Sequence, residues 1–323
     1  MRASGLDFEK SIIELETIID NLKTFADSSE FDLARSITSL EKDLESIKKR
    51  VFQNLTRWNI VSLARHEERP QAVDYINALL EDNMELHGDG LLGDDPALSG
   101  GIGWFDGQPV VYLGQQKGKS AKERISRNFG MMHPEGYRKG RRLMKLAEKF
   151  DRPIISFVDT SGAHPGKEAE QHGQAMAIAE NLALMAQLRV PLVAIIIGEG
   201  GSGGALGIAL ADRVLMLQYA MYCVCPPEAC SGILWRDHGE HAPEAAEGLK
   251  LIADDLLAFG IIDEVIKEPL GGAHCNPKLM FLRVRRALKR HLSELMRMDK
   301  NELLEKRYQR YRRIGVYGEG TVE

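Results

Sequence analysis

Cysteine is scarce. The 323-residue chain holds four, Cys223, Cys225, Cys230 and Cys275, with no C-x-x-C pair among them. Three clustered thiols lack the fourth ligand of a structural zinc site, so no metal is assigned and reduced core thiols are the simpler reading. An excess of charge is missing too: 42 basic and 47 acidic side chains leave −5, and no global electrostatic case exists for nucleic acid or a membrane surface. The opening MRASGLDFEK has neither the apolar region of a signal peptide nor Arg-rich transit character. The longest apolar stretch, Leu192 to Leu217, is broken by Glu199, Asp212, Arg213 and a glycine cluster, which excludes a spanning helix. Long repeats and low-complexity tracts are absent. The expectation is a cytoplasmic protein.

What is present fits a folded globular chain with a sizeable core: 44% hydrophobic and 28% charged residues. Phe8, Ile12, Leu15, Ile18, Ile19, Leu22 and Phe25 recur at helical spacing, and a polar turn follows at Ala26-Asp27-Ser28-Ser29. Leu33, Ile37, Leu40, Leu44, Ile47 and Val51 then form a heptad seam, so a helical hairpin packed on itself or on a partner chain is expected, with an ordinary helix laid on the core as the alternative. Arg65 to Pro70 is a polar break, 71–80 a short helix and 87–95 a surface loop. From Gly100 onward β-type runs (109–113, 153–158, 192–197, 214–217) alternate with helical ones (137–150, 168–189), which implies parallel βαβ units. A helix over 245–259 stops at Gly260, Ile261 to Ile266 is short and apolar, and a basic helical tail runs from Pro277. Three segments result: a helical region 1–80, an α/β core 81–275 and a tail 276–323.

The chemistry concentrates in Gly198 to Gly207, GEGGSGGALG, between a buried strand and a helix. Six of its ten residues are glycine, so backbone N–H groups can approach a ligand at the positive end of a helix. Phosphate binding fits poorly, because no lysine follows the glycines, and Leu217-Gln218 lacks the acid of a dinucleotide site. Two chemical readings remain. Gly200-Gly201-Ser202-Gly203-Gly204 matches the G-x-S-x-G nucleophile elbow, with Asp237, His238, His241 and His274 available for a triad. Alternatively, Gly203 and Gly204 form a backbone oxyanion hole. A turn built only for close packing is the plain alternative. Asp159 to Gly166 also lies between a strand and a helix, which brings it to the same sheet edge, with His164 as a candidate base. Lys117, Lys119, Lys122, Arg124, Arg127, Arg138, Lys139, Arg141 and Arg142 form a basic cluster, fit either for phosphates or for a solvated face balanced by acids.

Taken in order, 114–118 (GQQKG), 127–131 (RNFGM), 134–139 (PEGYRK), Asp159-Thr160 with Gly162-Ala163 and Pro165-Gly166, 197–206 (IGEGGSGGAL), Pro227-Glu228, 233–235 (ILW) and 268–274 (EPLGGAH) resemble the α subunit of the carboxyltransferase component of bacterial acetyl-CoA carboxylase. The resemblance runs from Leu6 to Arg310. It implies a crotonase-like (ClpP/crotonase) spiral of ββα units, with the helical hairpin and C-terminal helices added. It implies an α2β2 assembly whose β subunit carries a zinc ribbon, a biotin carboxyl carrier protein and, in the larger complex, biotin carboxylase. The implied reaction moves a carboxyl group from carboxybiotin to acetyl-CoA, giving malonyl-CoA. Both the ureido and acetyl oxygens become anionic, which calls for pre-aimed N–H donors rather than an acid or a base. Gly203 and Gly204 are then the catalytic hole, with Gly162, Ala163, Gly201, Ser202, Lys117 and Arg138 at the substrates. The family pattern Asp-Thr-Pro-Gly-Ala-Tyr-Pro-Gly is altered here at Ser161 and His164. A serine hydrolase using Ser202, or a scaffold with an inert glycine loop, are the competing readings.

Overall fold

The computed structural model describes residues 6–28 and 33–315. The described chain opens with two helices, α1 (Lys10–Ser28) and α2 (Ala34–Gln53). Every residue of the heptad seam, Leu33, Ile37, Leu40, Leu44, Ile47 and Val51, is half-buried. On the α1 stripe Ile12 and Ile19 are buried, while Ile18 and Phe25 are exposed. The hairpin rests through Leu44, Ile47 and Val51 on a small cluster of Ile12, Phe52, Ile60, Leu63 and Tyr219. Helix α1 continues through Ala26, Asp27 and Ser28, where a turn was expected; the remainder of that turn, Ser29, and the start of the chain, 1–5, lie outside the described residues. Helices α3 (Arg57–Ala64) and α4 (Ala72–Leu79) follow. Thr56 caps α3 by accepting the Asn59 N–H at 3.1 Å, which satisfies a donor the helix itself leaves open.

Strands β1 (Glu81–Glu85), β2 (Leu98–Phe105) and β3 (Gln108–Gln115) form an antiparallel meander. Helices α5 (Ala121–Ser126) and α6 (Pro134–Lys149) lead to β4 (Ile154–Thr160). After α7 (Lys167–Gln171) and α8 (Gln174–Gln187) come β5 (Leu192–Gly201), α9 (Ser202–Ala209), β6 (Arg213–Leu217) and β7 (Met221–Cys223). Then α10 (Pro227–Trp235), α11 (Ala242–Leu249), α12 (Ala253–Ala258) and β8 (Glu264–Ile266) complete the sheet region. Helices α13 (Pro277–Leu295) and α14 (Lys300–Arg312) close the described chain. The sheet order is β1-β2-β3-β4-β5-β6-β8, with β7 pairing with the far end of β5. From β3 onward every pairing is parallel, so the carboxyl ends of β3, β4 and β5 meet at one edge.

Two expected long helices are each divided. The helix expected over 168–189 breaks at Gly173, whose φ of 82° ends α7 and opens α8. That expected over 245–259 breaks at Lys250, with φ 52°. Gly260, φ 69°, does follow α12 as a left-handed C′ residue. The segment 87–95 is not simply a surface loop, because Asp89 and Asp95 are buried and collect the backbone N–H groups of Leu91, Leu92, Gly93, Ala97 and His133.

One large core draws on all three expected segments. Tyr75, Ile76 and Leu79 of α4, the strands, and Met280, Val284, Leu288 and Leu292 of α13 belong to the same buried cluster. Helix α14 is fastened by Arg307, which is buried and donates to both Asp212 oxygens at 2.8 Å and to the carbonyls of Met185, Leu188 and Val190. The desolvated guanidinium is tolerable only because all its donors are used.

Candidate active site

Strand β5 runs unbroken to Gly201 and α9 begins at the next residue, so the glycine run is a direct strand-to-helix junction and not a loop. Ser202 makes the change alone, with φ 52°, a left-handed conformation that costs a non-glycine residue about 1–2 kcal/mol. The three conspicuous glycines differ in what requires them. A Cβ at Gly201 would lie 2.1 Å from the Ser161 carbonyl oxygen, and one at Gly204 2.4 Å from the Gly162 carbonyl carbon. The backbone of 161–163 is therefore wedged against the start of α9. At Gly203 the nearest atom to an added Cβ is Ile178 Cδ1, at 3.7 Å. Nothing in the protein forbids a side chain there. Gly203 borders a mostly apolar hollow of about 410 Å³, with Ser202, Leu206, Tyr222, Cys223, Val224, Leu256 and Ile261 as its other walls. The N–H groups of Ser202, Gly203 and Gly204 occupy the first turn, ahead of the intrahelical ladder.

The 160–163 wedge is tied to itself: the Thr160 hydroxyl donates to the Gly162 carbonyl at 2.7 Å and accepts the Gly162 N–H at 3.2 Å. His164 does not reach into the junction. Its Nδ1 accepts from Asn128 Nδ2 at 2.8 Å, its ring lies 4.3 Å from that of His133, and a Cβ at Gly166 would strike its Nε2 at 2.4 Å. Burial and the neighbouring His133 push its pKa down.

Behind the glycines lies a chain of charges. Lys117, just past β3, donates to Asp159 Oδ1 at 2.7 Å and to Glu199 Oε2 at 2.6 Å. Arg65, just past α3, donates to Glu199 Oε1 at 2.7 Å and to Glu228 Oε1 at 2.5 Å. Glu199 is buried; burial disfavours its charge, but Lys117 and Arg65 outweigh that and hold its pKa down at about 2. The Asp159 carboxylate also accepts the Glu199 N–H at 2.9 Å, on a path kept open by Gly198, where a Cβ would lie 2.4 Å from Asp159 Oδ1. Arg65, Lys117, Phe129, Asp159, Ser161 and Glu199 line a cavity of about 210 Å³.

Of the expected site residues, Gly201, Ser202, Gly203, Gly204, Gly162 and Ala163 meet at the junction, and Lys117 lies in the adjoining cavity. Arg138 does not join them. Its guanidinium is engaged by Asp89 and Glu135, each at 2.8 Å, and by the His172 carbonyl, and it lines neither hollow. The basic cluster around it is similarly occupied: Lys139 is buried on the Leu98 carbonyl and Asp94, Arg141 pairs with Glu180, Arg142 donates to the carbonyls of His87 and Gly88, and Lys119 pairs with Asp74. Of the remaining members, Arg124 pairs with Glu67 and lines the cavity beside Lys117, Arg127 donates to the Pro96 carbonyl, and Lys122 is exposed.

The triad does not form either. His241 and Ser231 both bond Asp237, His238 is exposed, and His274 stacks on His66 with centroids 3.8 Å apart. None of them is bonded to Ser202. The four cysteines are free, and burial pushes the Cys223 thiol up to about 12. Among the described residues no group of three or more His, Cys, Asp or Glu side chains is placed to hold a metal ion. Arg65, Asp159, Glu199 and Glu228 went unassigned by sequence reasoning; the one available signal was Glu199, an acid inside an otherwise apolar and glycine-rich strand.

A family described as acetyl co-enzyme A carboxylase carboxyltransferase-like matches residues 5–315. A Staphylococcus saprophyticus protein named acetyl-coenzyme A carboxylase carboxyl transferase subunit alpha is 51% identical over 314 residues, covering 97% of this chain and 100% of its own. Proteins of the same name from Geobacter metallireducens (50% identical, 97% of this chain, 98% of that one) and Paraburkholderia phymatum (48%, 99% of each) are similar. Among solved structures, transcarboxylase 12S with methylmalonyl-coenzyme A and methylmalonic acid bound matches with a TM-score of 0.57 at 18% identity, over 71% of this chain and 42% of that one. A Pseudomonas malonate decarboxylase hetero-tetramer in complex with coenzyme A matches with a TM-score of 0.56 at 20% identity, over 69% and 88%. The shared fold is the crotonase-like α/β fold, in agreement with the alternating strands and helices of the sequence. Among the described residues no helix is long and apolar enough to cross a membrane.

Proposed function

The chain belongs to the acetyl-CoA carboxylase carboxyltransferase family, as an α subunit, and from that premise we propose how its residues serve the transfer of a carboxyl group from carboxybiotin to acetyl-CoA, which gives malonyl-CoA in the first committed step of fatty-acid synthesis. Carrier-borne biotin supplies the carboxyl group, and negative charge gathers on its ureido oxygen as that group leaves. The N–H groups of Gly203 and Gly204 are the donors that meet this charge, fixed in direction before the reaction starts. Loss of one such donor typically costs about 2.7–4 kcal/mol of transition-state stabilisation.

The observation that carries this reading is Gly203. Packing explains Gly201 and Gly204, whereas a side chain at Gly203 would meet nothing closer than 3.7 Å. A glycine that the fold does not need, at a helix start and facing a hollow, leaves room for a substrate to press against the backbone. Gly162 and Ala163 buttress the helix start, and Gly201 and Ser202 shape the approach through their backbone. Lys117 positions the Asp159–Glu199 pair beneath it.

The hollow is open on its outer side, and the second oxyanion hole comes from the β subunit across it. That subunit carries the zinc and completes an α2β2 assembly, which biotin carboxyl carrier protein and biotin carboxylase serve in the cytoplasm. The glycine junction lies in the 81–275 segment, and Arg65 of the 1–80 segment joins the charges behind it.

A hydrolase reading has one observation in its favour, the left-handed φ of Ser202, which resembles a nucleophile elbow. It lacks a base bonded to that hydroxyl. The test is carboxyl transfer from malonyl-CoA to free biotin, the reverse reaction, with the chain alone and with a zinc-ribbon β subunit added. Activity is expected only in the mixture. Silence in a verified complex would refute the proposal.

A further inference from the structure

Gln115 ends β3 and is fully buried. Its two polar atoms reach different elements of the site. Nε2 donates to the Gly204 carbonyl oxygen at 2.8 Å, and Oε1 accepts the Asp159 N–H at 3.1 Å. One planar amide thus joins the start of α9 to the end of β4. Tyr137, also buried, directs its hydroxyl to the same Gly204 carbonyl at 3.4 Å, and its ring fills the space that a side chain at Gly207 would need.

This arrangement exceeds what the fold requires. The Gly204 carbonyl lies inside α9 and has the helix ladder available to it. A hydrocarbon of similar volume at position 115 would fill the core without burying a polar amide. What the amide adds is direction. Gly204 has no side chain to fix its torsions, and glycine is the residue most free to rotate. The held carbonyl belongs to the Gly204–Ala205 peptide, so the bond restrains the ψ torsion of Gly204 and, through that residue, the two preceding peptides whose N–H groups stand in the first turn of α9. The Asp159 half of the same amide extends the constraint, because Asp159 accepts the Glu199 N–H from β5 at 2.9 Å.

We propose that Gln115 is a positioning residue for carboxyl transfer, holding the Gly203–Gly204 amides in their donating orientation through the Gly204 carbonyl. The inference rests on the backbone oxyanion hole proposed above. It assigns Gln115 no contact with substrate, so its loss acts on turnover and not on substrate affinity.

The test uses the complete complex with its β subunit and the malonyl-CoA to biotin reaction. Gln115→Met keeps the volume and removes both hydrogen bonds; Gln115→Glu keeps the acceptor for Asp159 but sets an oxygen against the Gly204 carbonyl. The expected result is a kcat lowered about tenfold in Gln115→Met and further in Gln115→Glu, with KM for malonyl-CoA within about twofold and assembly intact. Tyr137→Phe removes the weaker donor without burying a charge, and it lowers kcat about two- to threefold. It decides the matter should the Gln115 variants fail to assemble. Assembled Gln115 variants with unchanged kcat, or with raised KM at unchanged kcat, would overturn the inference, as would full kcat in Tyr137→Phe if only that variant assembles. An inactive wild-type complex would instead overturn the oxyanion-hole reading.

Discussion

The β5–α9 junction and the turn joining α10 to α11 are built on opposite plans. The turn has the side chains usually associated with catalysis. Ser231 Oγ lies 2.6 Å from Asp237 Oδ1, and His241 Nδ1 lies 2.5 Å from Asp237 Oδ2. Yet the carboxylate stands between hydroxyl and imidazole, so His241 is not placed to take a proton from Ser231. Asp237 also accepts the N–H groups of Gly239 and His241, and the whole cluster works as a knot that ties the turn. The junction has almost no chemistry in its side chains, but its backbone is aimed and braced from Thr160, Gln115, Asp159 and Glu199. Residue types make a site only when their geometry leaves a donor or a base free to act.

The contrast is broken most severely at the two central glycines. Gly204→Val drives atoms into the backbone of Gly162 and is expected to lower carboxyl transfer by at least 10²-fold in the purified complex. Gly203→Ala meets no such obstacle. Its expected signature is divided: stability unchanged or raised by about 0.4–1 kcal/mol in thermal unfolding, because alanine favours the helix, and activity lowered more than tenfold, because the methyl group enters the substrate's space. Loss of both properties together would mean that Gly203 serves packing after all.

A smaller effect comes from the charges behind the junction. Glu199→Gln leaves Lys117 and Arg65 without their shared carboxylate, and a stability loss of about 3 kcal/mol is expected at neutral pH. The sign of its pH dependence follows from a pKa held at about 2, below the ordinary 4.5. A carboxylate with a depressed pKa stabilises the folded state above its ordinary value and loses that contribution as pH falls through the depressed one. Denaturant midpoints of wild type and Glu199→Gln should therefore converge between about pH 4.5 and 2. Parallel midpoint curves would show that the charge of Glu199 contributes nothing. Smallest of all are the changes at conspicuous side chains. Ser202→Ala and His241→Ala are expected to keep kcat within about threefold in the complex, since the first is used through its backbone and the second lies in the knot. A large loss on removing the Ser202 hydroxyl would restore the nucleophile reading.

The strand–helix alternation from Pro109 onward and the place of the glycine run at a sheet edge were legible in the sequence, because both depend on local periodicity, whereas β2 and its antiparallel pairing with β3 depart from the parallel βαβ units expected from Gly100. Gly203 and Gly204 stood out for the same reason. The bracing did not. Arg65 and Glu199 are 134 residues apart, and Arg65 and Glu228 are 163 apart; only the sheet topology brings them together. The breaks at Gly173 and Lys250 were hidden because a single left-handed residue leaves the apolar spacing of a helix intact. Strand β1, EDNME, is exposed along its whole length and so carries no alternation to read.

The most direct test replaces the amide between Gly203 and Gly204 with an ester, by incorporating glycolic acid at position 204. This deletes one N–H and adds no atom to a crowded site. With the β subunit present, kcat for carboxyl transfer should fall about 10²- to 10³-fold while KM for malonyl-CoA holds. An assembled ester variant that turns over at the wild-type rate would contradict the claim that this backbone performs the chemistry.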